Sequence, residues 1–247
     1  MINIVIPMAG LGSRFALNGY KKPKPFIDVN NRPMITRVIE NLYYPNARYI
    51  LIARKEHLQQ EAELVNEISA SYNVVWLPID KLTEGTACTV LFAKPFIDND
   101  TPLLIANSDQ LVDVSIEDFI NDCLERKLDG SILTFTDPEL NPKWSFARLN
   151  NDGLVAEVQE KKAISEYATV GLYLFAKGID FVGGAIEMII NNDRVNNEFY
   201  TCPVYNYSIN KQKKIGVYNI RFNQMHGLGT PEDLKFYLEN EIEKERI

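Results

Sequence analysis

Residues 2–14 read INIVIPMAGLGSR, a short apolar run followed directly by a turn with two glycines. A mainly apolar run, interrupted by Asn3 alone and followed by Pro7 and the glycines, is typical of a strand buried in a parallel sheet. Gly10 and Gly12 allow the backbone to approach a ligand closely, and successive N–H groups in such a turn can form an anion-binding nest. The pattern therefore predicts a first strand that ends at a phosphate-binding loop.

The rest of the chain alternates strand and helix patterns and then changes character. In the first half, strands are predicted at 49–53, 74–78 and 102–106, and helices at 34–42, 56–70, 86–96 and 116–126. This alternation predicts an α/β fold with helices on both faces of a mostly parallel sheet. In the second half, strands at 131–135, 146–149, 154–158 and 170–175 suggest an antiparallel portion, followed by helices at 181–190 and 232–244. With no repeat or linker, one domain is expected.

The bulk composition excludes several classes of function. The 247 residues carry a net charge of -7, whereas a nucleic-acid-binding surface normally shows as a basic footprint. No apolar run approaches 18 residues, so no membrane span is expected. The three cysteines are far apart and odd in number, which argues against a disulfide framework. A cytoplasmic setting is the simplest expectation.

Two cationic side chains follow the glycine turn. Arg14 can fork across phosphate oxygens, and Lys24 supplies a compact charge. Together they would neutralise negative charge that develops on a leaving pyrophosphate. The glycines alone are equally compatible with an ordinary strand-to-helix turn, because the chain has neither a third glycine nor the Gly-Lys-Ser/Thr of a P-loop.

A carboxylate follows the predicted strand at 102–106. Asp109 would face the crevice at the carboxyl end of the strands, where open α/β sheets bind ligands. Taken alone, an Asp after an apolar strand is also typical of a turn or helix cap.

Three segments together are recognisable as a family pattern. Residues 10–14 (GLGSR), 23–25 (PKP) and 31–35 (NRPMI) resemble the nucleotidyltransferase family of sugar-1-phosphate pyrophosphorylases and phosphocholine cytidylyltransferases. The resemblance covers essentially the whole chain and implies a Rossmann-like, three-layer mixed sheet of the nucleotide-diphospho-sugar transferase type. It also implies a single domain over residues 1–247, with an NTP-binding half at 1–115 and an acceptor-binding half at 116–247.

The resemblance implies roles for individual residues. Arg14, Lys24 and Asp109 would be catalytic, and Asp109 would hold Mg²⁺, which prefers oxygen ligands and substrate phosphates. The residues implied in nucleotide binding are Ala9, Gly10, Gly12, Ser13, Asp80, Gly85, Thr86 and Ser108. Those implied in acceptor binding are Glu160, Lys161, Gly171 and Glu198.

Asp80 bears on the choice of base. Relatives specific for uracil or thymine commonly have glutamine at this position. A carboxylate only accepts hydrogen bonds, which suits the exocyclic amine of cytosine and also the N1–H and amine of guanine. CTP is therefore favoured, with dTTP or UTP as the alternative. Asp80 as a solvated loop residue is equally compatible with the sequence.

The chain departs from the family pattern in four places. Lys162 replaces the usual proline, Cys202 the usual Asp, and Ser145 the usual glycine after the aromatic residue. Gly227 stands where the family has its second metal-binding Asp. The missing ligand could be replaced by His226 or Asn223 or by water, or the metal could rely on Asp109 and the phosphates alone.

The residues and the resemblance together predict a metal-dependent nucleotidyltransferase that joins the nucleoside monophosphate of an NTP, CTP favoured, to a sugar 1-phosphate or a small non-sugar phosphate and releases pyrophosphate. Surface polysaccharide biosynthesis is the expected setting, with neither nucleic acid nor membrane as partner. Aromatic residues such as Tyr43 and Tyr44 are compatible with a homo-oligomer as well as with core packing. A glycosyltransferase that consumes a nucleotide sugar and a non-catalytic nucleotide-binding domain are the rival interpretations.

Overall fold

The structure is a computed structural model that describes residues 1–244, with side chains described up to residue 240. Residues 245–247, which the single-domain prediction includes, lie outside the described residues.

Eleven strands are present in the described chain. They are β1 (Ile2–Pro7), β2 (Ala47–Arg54), β3 (Val74–Ile79), β4 (Leu103–Ala106), β5 (Gln110–Val112), β6 (Gly130–Thr136), β7 (Ser145–Leu149), β8 (Val155–Glu160), β9 (Tyr167–Phe175), β10 (Ile215–Ile220) and β11 (Met225–Gly227).

The helices lie between these strands. They are α1 (Ser13–Leu17), α2 (Met34–Asn41), α3 (Lys55–Gln60), α4 (Ala62–Ser71), α5 (Thr86–Val90), α6 (Lys94–Ile97), α7 (Ile116–Glu125), α8 (Gly178–Ile190), α9 (Val204–Asn210) and α10 (Pro231–Lys244). Short 3₁₀ turns occupy Lys24–Phe26, Leu91–Ala93 and Phe222–Gln224. In the part of the chain that the structure describes, no helix has the length and apolarity needed to cross a bilayer.

One mixed sheet runs through both halves of the chain. Its strand order is β10-β6-β9-β4-β1-β2-β3, and β9 is antiparallel to both of its neighbours, β4 and β6. The other pairings along this path are parallel. A hairpin of β7 and β8 attaches to β9, and β5 pairs with β11 as a separate two-stranded sheet. The carboxyl ends of β1, β2, β3 and β4 therefore lie along one edge of the sheet.

The sheet separates two hydrophobic cores. In β1, Ile2, Ile4 and Ile6 pack into one core, whereas Val5 packs into the other, because successive side chains of a strand point to opposite faces. Helices α2 and α7 contribute to the first core, and α5, α8 and α9 to the second. The predicted three-layer arrangement with helices on both faces is confirmed.

Several elements differ from the sequence predictions. The helix predicted at 56–70 is broken at Glu61 into α3 and α4, and the one predicted at 86–96 includes a 3₁₀ turn. Strands β5 and β11 have three residues each, too few for any periodicity to show. Helix α9 reads VYNYSIN, a composition of β-branched and aromatic residues that favours strands. Its burial against α8 overrides that propensity.

Candidate active site

The glycine turn of the first strand forms an open loop at the edge of the sheet. Gly12 adopts a left-handed conformation, with φ of 62°, just before α1. A Cβ on Gly12 would lie 3.1 Å from Cβ of Lys24, so the loop and the 3₁₀ turn at Lys24–Phe26 are in close contact. Among the described residues, none accepts a hydrogen bond from the N–H groups of Gly10, Leu11 or Gly12. These donors are available to an anion.

Lys24 and Asp109 meet beside this loop. The ammonium of Lys24 forms an ion pair with the carboxylate of Asp109, and the side chains are 18% and 25% exposed. The Lys24 Nζ also lies 6.0 Å from the ring centroid of Phe15, which is buried on α1. Partial burial weakens solvent screening, so these two charges act more strongly on a ligand than fully exposed ones would.

Arg14 follows the glycine loop directly but forms no ion pair with Asp109. It lies on α1 beside Phe15, and its side chain is exposed, with no ion pair to any described residue. Ser13 is likewise exposed at the start of α1, whereas Ala9 is buried. The structure thus brings the loop, Lys24 and Asp109 together and leaves Arg14 at their border.

A second carboxylate lies close to Asp109. The N–H of Leu228 donates to the Asp109 carbonyl oxygen at 2.8 Å, which holds the chain after β11 against the end of β4. A Cβ on Gly229 would lie 3.1 Å from Oδ2 of Asp109 and 3.9 Å from Oδ2 of Asp233. A Cβ on Gly227 would lie 3.9 Å from Cγ of Asp233. The Asp233 carboxylate, from the first turn of α10, therefore reaches the region that a side chain at position 227 would enter.

The donor set around Asp109 suits a hard cation. No cluster of three or more His, Cys, Asp or Glu side chains with metal-binding geometry occurs within residues 1–240. Two carboxylates lie near the backbone of Gly229, and carboxylate oxygens are the protein ligands that Mg²⁺ prefers beside water and substrate phosphates. Ser108, half-buried, lies directly before Asp109.

His226 and Asn223, the two side chains considered as replacements for the Asp missing at Gly227, have other surroundings. The Nε2 atom of His226 lies 2.8 Å from Oδ2 of Asp113, so this ring is already engaged. Asn223 is exposed in the 3₁₀ turn before β11.

A polar cavity of about 260 Å³ lies on the other side of Asn107. It is lined by residues of α5, β5, β7, β8, β9 and several loops: Thr86, Asn107, Gln110, Lys143, Trp144, Ser145, Glu160, Thr169, Val170, Gly171, Tyr173, Tyr200, Thr201 and Cys202. Glu160 and Gly171, two of the predicted acceptor residues, are among them.

Glu160 is the buried charged group of this cavity. Ser145 and Glu160 are directly opposed in the β7–β8 hairpin, and the Ser145 hydroxyl donates to Oε2 of Glu160. Burial raises the pKa of the Glu160 carboxyl, and the hydrogen bond from Ser145 and the charge of Lys161 act against that rise.

Lys161 contacts Tyr200, a residue that lines the cavity. Its backbone is left-handed, with φ of 54°, which turns the chain sharply after β8. Its Nζ lies 2.6 Å from the hydroxyl of Tyr200, and this hydrogen bond raises the pKa of Lys161. Burial raises the pKa of the Tyr200 hydroxyl, and a hydrogen bond with Glu198 raises it further. Glu198 is exposed, as Lys161 is. Lys161 and Glu198, both predicted to bind the acceptor, thus interact with the same Tyr200 hydroxyl.

Two glycines permit close backbone approaches at the cavity. Gly171 has φ of 99°, and a Cβ there would lie 2.1 Å from Nδ2 of Asn107. Gly85 has φ of 126°, and a Cβ there would lie 2.4 Å from the carbonyl oxygen of Phe199. Next to it, the Oγ1 of Thr86 lies 3.1 Å from the hydroxyl of Thr201. Gly85 and Thr86, predicted to bind the nucleotide, therefore also contact the segment at 199–201.

Asp80 is more remote from these groups. It follows β3, and its side chain is 80% exposed. Its Oδ1 lies 4.0 Å from Nζ of Lys55, with which it forms an ion pair. Among the described residues, no hydrogen bond or ion pair joins it to the glycine loop.

Several cavity residues were absent from the predicted set. Thr169 and Tyr173 lie on the same face of β9 as Gly171, so the period of two along that strand would have found them. Asn107 precedes the predicted Asp109 by two residues. Tyr200 and Thr201 are brought in by the pairing with Glu84 and Thr86, for which the sequence carries no local signal.

Comparisons with known proteins agree with this architecture. The chain is 24% identical over 186 residues to mannose-1-phosphate guanyltransferase beta-A of Xenopus laevis, covering 71% of this chain and 50% of that protein. The chain thus spans about half the length of the curated relatives it matches.

Two solved structures share the fold. A nucleoside-diphosphate-sugar pyrophosphorylase from Vibrio cholerae RC9 superposes with a TM-score of 0.82 at 25% identity, covering 96% of this chain and 99% of that one. The inositol-1-phosphate CTP transferase from T. maritima superposes with a TM-score of 0.74 at 13% identity, covering 96% and 94%, which shows the fold alone. These likenesses confirm the predicted fold of the nucleotide-diphospho-sugar transferase type.

The model of one protein family matches most of the sequence. Residues 4–196 match the model described as nucleotidyl transferase, a span that includes the glycine loop, Lys24, Asp109, Glu160 and Gly171. The chain belongs to the nucleotidyl transferase family.

Proposed function

We propose that this protein transfers a nucleoside monophosphate from an NTP to a phosphorylated, hydroxyl-bearing acceptor and releases pyrophosphate. The observation that carries the proposal is the meeting of the glycine loop, Lys24 and Asp109 beside a polar cavity. An NTP triphosphate at the loop and an acceptor in the cavity would place their reacting groups near Asp109 and Asn107.

The residues present can support an in-line displacement. The free N–H groups of Gly10, Leu11 and Gly12 would bind the triphosphate, and Lys24 would place its charge against the phosphates. Arg14, exposed and unpaired among the described residues, would add a forked contact to the leaving pyrophosphate. The attacking acceptor phosphate is already ionised, so positioning carries most of the work.

Mg²⁺ is the cofactor that fits the donor set of this site. Asp109 would hold it, with Asp233 as the second carboxylate in place of the residue missing at Gly227. The ion would supply positive charge to the phosphates when bound.

The cavity favours a hydroxylated acceptor over a choline-like cation. A quaternary ammonium is normally held on free aromatic faces. Here the Nζ of Lys143 lies 4.4 Å from the ring centroid of Trp144, and that of Lys161 lies 4.5 Å from the ring centroid of Tyr200. Two ammonium groups would repel a third cation but attract a phosphate. Glu160, Thr169 and Tyr173 offer hydrogen bonds to hydroxyl groups.

The preference for CTP rests on Asp80 alone. Its carboxylate is exposed and follows the carboxyl end of β3. Strand β3 is separated from β1 by β2 in the sheet. The Asp80 carboxylate would accept from the amine of cytosine, and GTP would satisfy it as well. The division into an NTP-binding half at 1–115 and an acceptor half at 116–247, and a role in polysaccharide synthesis in the cytoplasm, belong to the same proposal.

The deciding experiment crosses CTP, GTP, UTP and dTTP with mannose 1-phosphate, glucose 1-phosphate, inositol 1-phosphate and phosphocholine, with Mg²⁺ present. We expect pyrophosphate release with CTP and a hydroxylated phosphate. Lys24→Ala or Asp109→Ala should lower turnover at least about 100-fold, the scale seen when one transition-state contact is removed, and Arg14→Ala should lower it less.

The controls separate chemistry from folding. Lys22→Ala removes a nearby exposed lysine and should leave turnover unchanged. Normal turnover in a folded Asp109→Ala protein would contradict the metal site, and a last rank for CTP would contradict the interpretation of Asp80. Consumption of a nucleotide sugar in place of an NTP would support the glycosyltransferase interpretation.

A further inference from the structure

The innermost wall of the acceptor cavity is built from buried polar side chains of three strands and one loop. They are Ser145 at the start of β7, Glu160 at the end of β8, Thr169 and Tyr173 on β9, and Cys202 before α9. All five are at most 9% exposed. Buried polar groups of this kind need partners, and a half-satisfied group is costly.

The Glu160 carboxylate is only partly satisfied by the protein. Ser145 donates to Oε2, and no described residue donates to Oε1. The side chains face each other because their residues are directly paired in the antiparallel hairpin. The serine thus fixes the carboxylate in one orientation, with its second oxygen available to a molecule in the cavity.

The hydroxyl of Ser145 also lies next to two other groups of this wall. Burial raises the pKa of both Tyr173 and Cys202 well above their usual ranges, and hydrogen bonding with Ser145 acts in the opposite direction on each. Tyr173 has a further partner in Thr169, with 3.1 Å between the hydroxyl oxygens. Ser145 is therefore the side chain shared by Glu160, Tyr173 and Cys202.

We infer that Ser145 is a positioning residue for the acceptor: it holds Oε2 of Glu160 so that Oε1 accepts a hydrogen bond from an acceptor hydroxyl. The inference rests on the proposed function, because it places the acceptor in this cavity. Ser145 occupies Oε2 of Glu160, so that one of the two carboxylate oxygens, Oε1, is left to bind the acceptor. An acceptor with one hydroxyl at this wall is then matched, and one that needs both oxygens is disfavoured.

The charges around Glu160 determine the sign of the expected pH effect. Lys161 favours the ionised carboxylate, whereas Glu198 and burial disfavour it, and the buried Tyr173 and Cys202 are neutral near pH 7. Removal of the Ser145 donor takes away a stabilising contact of the ionised form, so the pKa of Glu160 must rise. A hydrogen bond to a charged group corresponds to about one pH unit or more.

The first test needs no substrate. In the full chain labelled with ¹³C at glutamate carboxyls, Glu160→Gln assigns the Glu160 resonance, and the wild type and Ser145→Ala are titrated by NMR. We expect the Glu160 midpoint to move up by about one pH unit in Ser145→Ala. Ser145→Cys, which keeps the volume but donates weakly, should move it in the same direction and serves if the alanine variant does not fold.

The second test uses whichever of mannose 1-phosphate or inositol 1-phosphate the wild type turns over. Ser145→Ala should raise the KM for that acceptor about tenfold, leave the KM for the NTP unchanged, and move the acid limb of kcat/KM for the acceptor to higher pH. Ser165→Ala is the matched control, because Ser165 also bonds to β7, at the Ala147 carbonyl, but does not line the cavity.

The outcomes judge the two proposals separately. An unchanged Glu160 midpoint in both Ser145 variants, or an acceptor KM equal to that of Ser165→Ala, overturns the role of Ser145. If no acceptor is turned over by the wild type, the proposed function fails, while the titration still decides whether Ser145 controls Glu160.

Discussion

Gly171 shows how one residue shapes the candidate site. Its φ of 99° lies in a region that side chains with a Cβ rarely adopt, and the Asn107 amide occupies the space where that Cβ would be. Asn107 is thereby held between the Asp109 loop and the cavity, with its N–H donating to the Gly171 carbonyl at 3.1 Å. A backbone without a side chain is what allows the two subsites to adjoin.

We expect Gly171→Ala to destabilise the fold by about 1–3 kcal/mol from backbone strain, and by more if Asn107 cannot move. Urea unfolding would measure the change. The matched control is Gly183→Ala in α8, where a Cβ meets nothing within 4 Å. That substitution should stabilise by about 0.5–1 kcal/mol, because alanine favours the helix. Equal effects of the two would contradict the close approach.

Asp233 is the residue-scale test of the metal site. Asp109→Asn and Asp233→Asn should each weaken Mg²⁺ binding about tenfold, or about 1.4 kcal/mol, measured by calorimetric titration without acceptor. Glu232→Gln removes the adjacent carboxylate of the same helix turn and should leave the affinity unchanged. If Asp233→Asn behaves like Glu232→Gln, Asp233 is not a metal ligand.

At the scale of elements, short strands and helix starts determine where the site residues lie. The pairing of Gly227 with Gln110 in the β11–β5 ladder brings the chain back to Asp109. Helix α10 then begins at once, and the N–H of Asp233 donates to the Thr230 hydroxyl at 3.1 Å, which makes Thr230 the N-cap of this helix. The helix start thus orients the Asp233 carboxylate.

Thr230→Ala should lower the free energy of unfolding by about 1 kcal/mol, the usual contribution of an N-cap. Ser115→Ala removes the corresponding cap of α7, where the hydroxyl accepts from the Asp118 N–H at 3.2 Å, and should cost a similar amount. Only the Thr230 variant should also weaken Mg²⁺ binding. A Thr230→Ala protein with unchanged stability and Mg²⁺ affinity would show that the cap does not position Asp233.

At the scale of the whole molecule, both faces of the sheet bury groups that titrate only at high pH. Cys123 of α7 is 1% exposed, and burial raises its pKa from 9.0 to about 11. The folded chain therefore keeps a proton that the unfolded chain loses above pH 9. Stability from this group is fully present below pH 9 and is lost as the pH rises toward 11.

We expect the free energy of unfolding to fall between pH 8 and pH 10.5, with Cys123 contributing about 2–3 kcal/mol of the full effect. In Cys123→Ala, the loss across this interval should be smaller by about 2 kcal/mol, because pH 10.5 is still below the folded pKa, whatever the cost of the cavity at pH 8. Cys88→Ala, at a half-exposed position, should change the slope less. A pH dependence identical to the wild type in Cys123→Ala would contradict the assignment.

Much of the fold follows from local patterns. The apolar runs of β1, β2 and β4 are long enough to be recognised as buried strands, and the alternation with amphipathic segments identifies the α/β class. Gly10, Gly12 and Asp109 can be identified because each closely follows such a strand, and Lys24 because it lies in the short motif at 23–25. The antiparallel insertion of β9 and the edge strand β10 depend on long-range pairing that no local pattern encodes.

The sequence by itself determined the fold class, the glycine loop after β1 and the carboxylate that follows β4, because hydrophobic periodicity and short motifs are local properties of the chain. Only the tertiary structure decided which distant residues meet: Lys24 with Asp109, Asp233 with the gap left by Gly227, and Ser145 with Glu160 and Cys202. The physical reason is that these contacts depend on strand order, register and helix starts, which are set by packing of the whole chain.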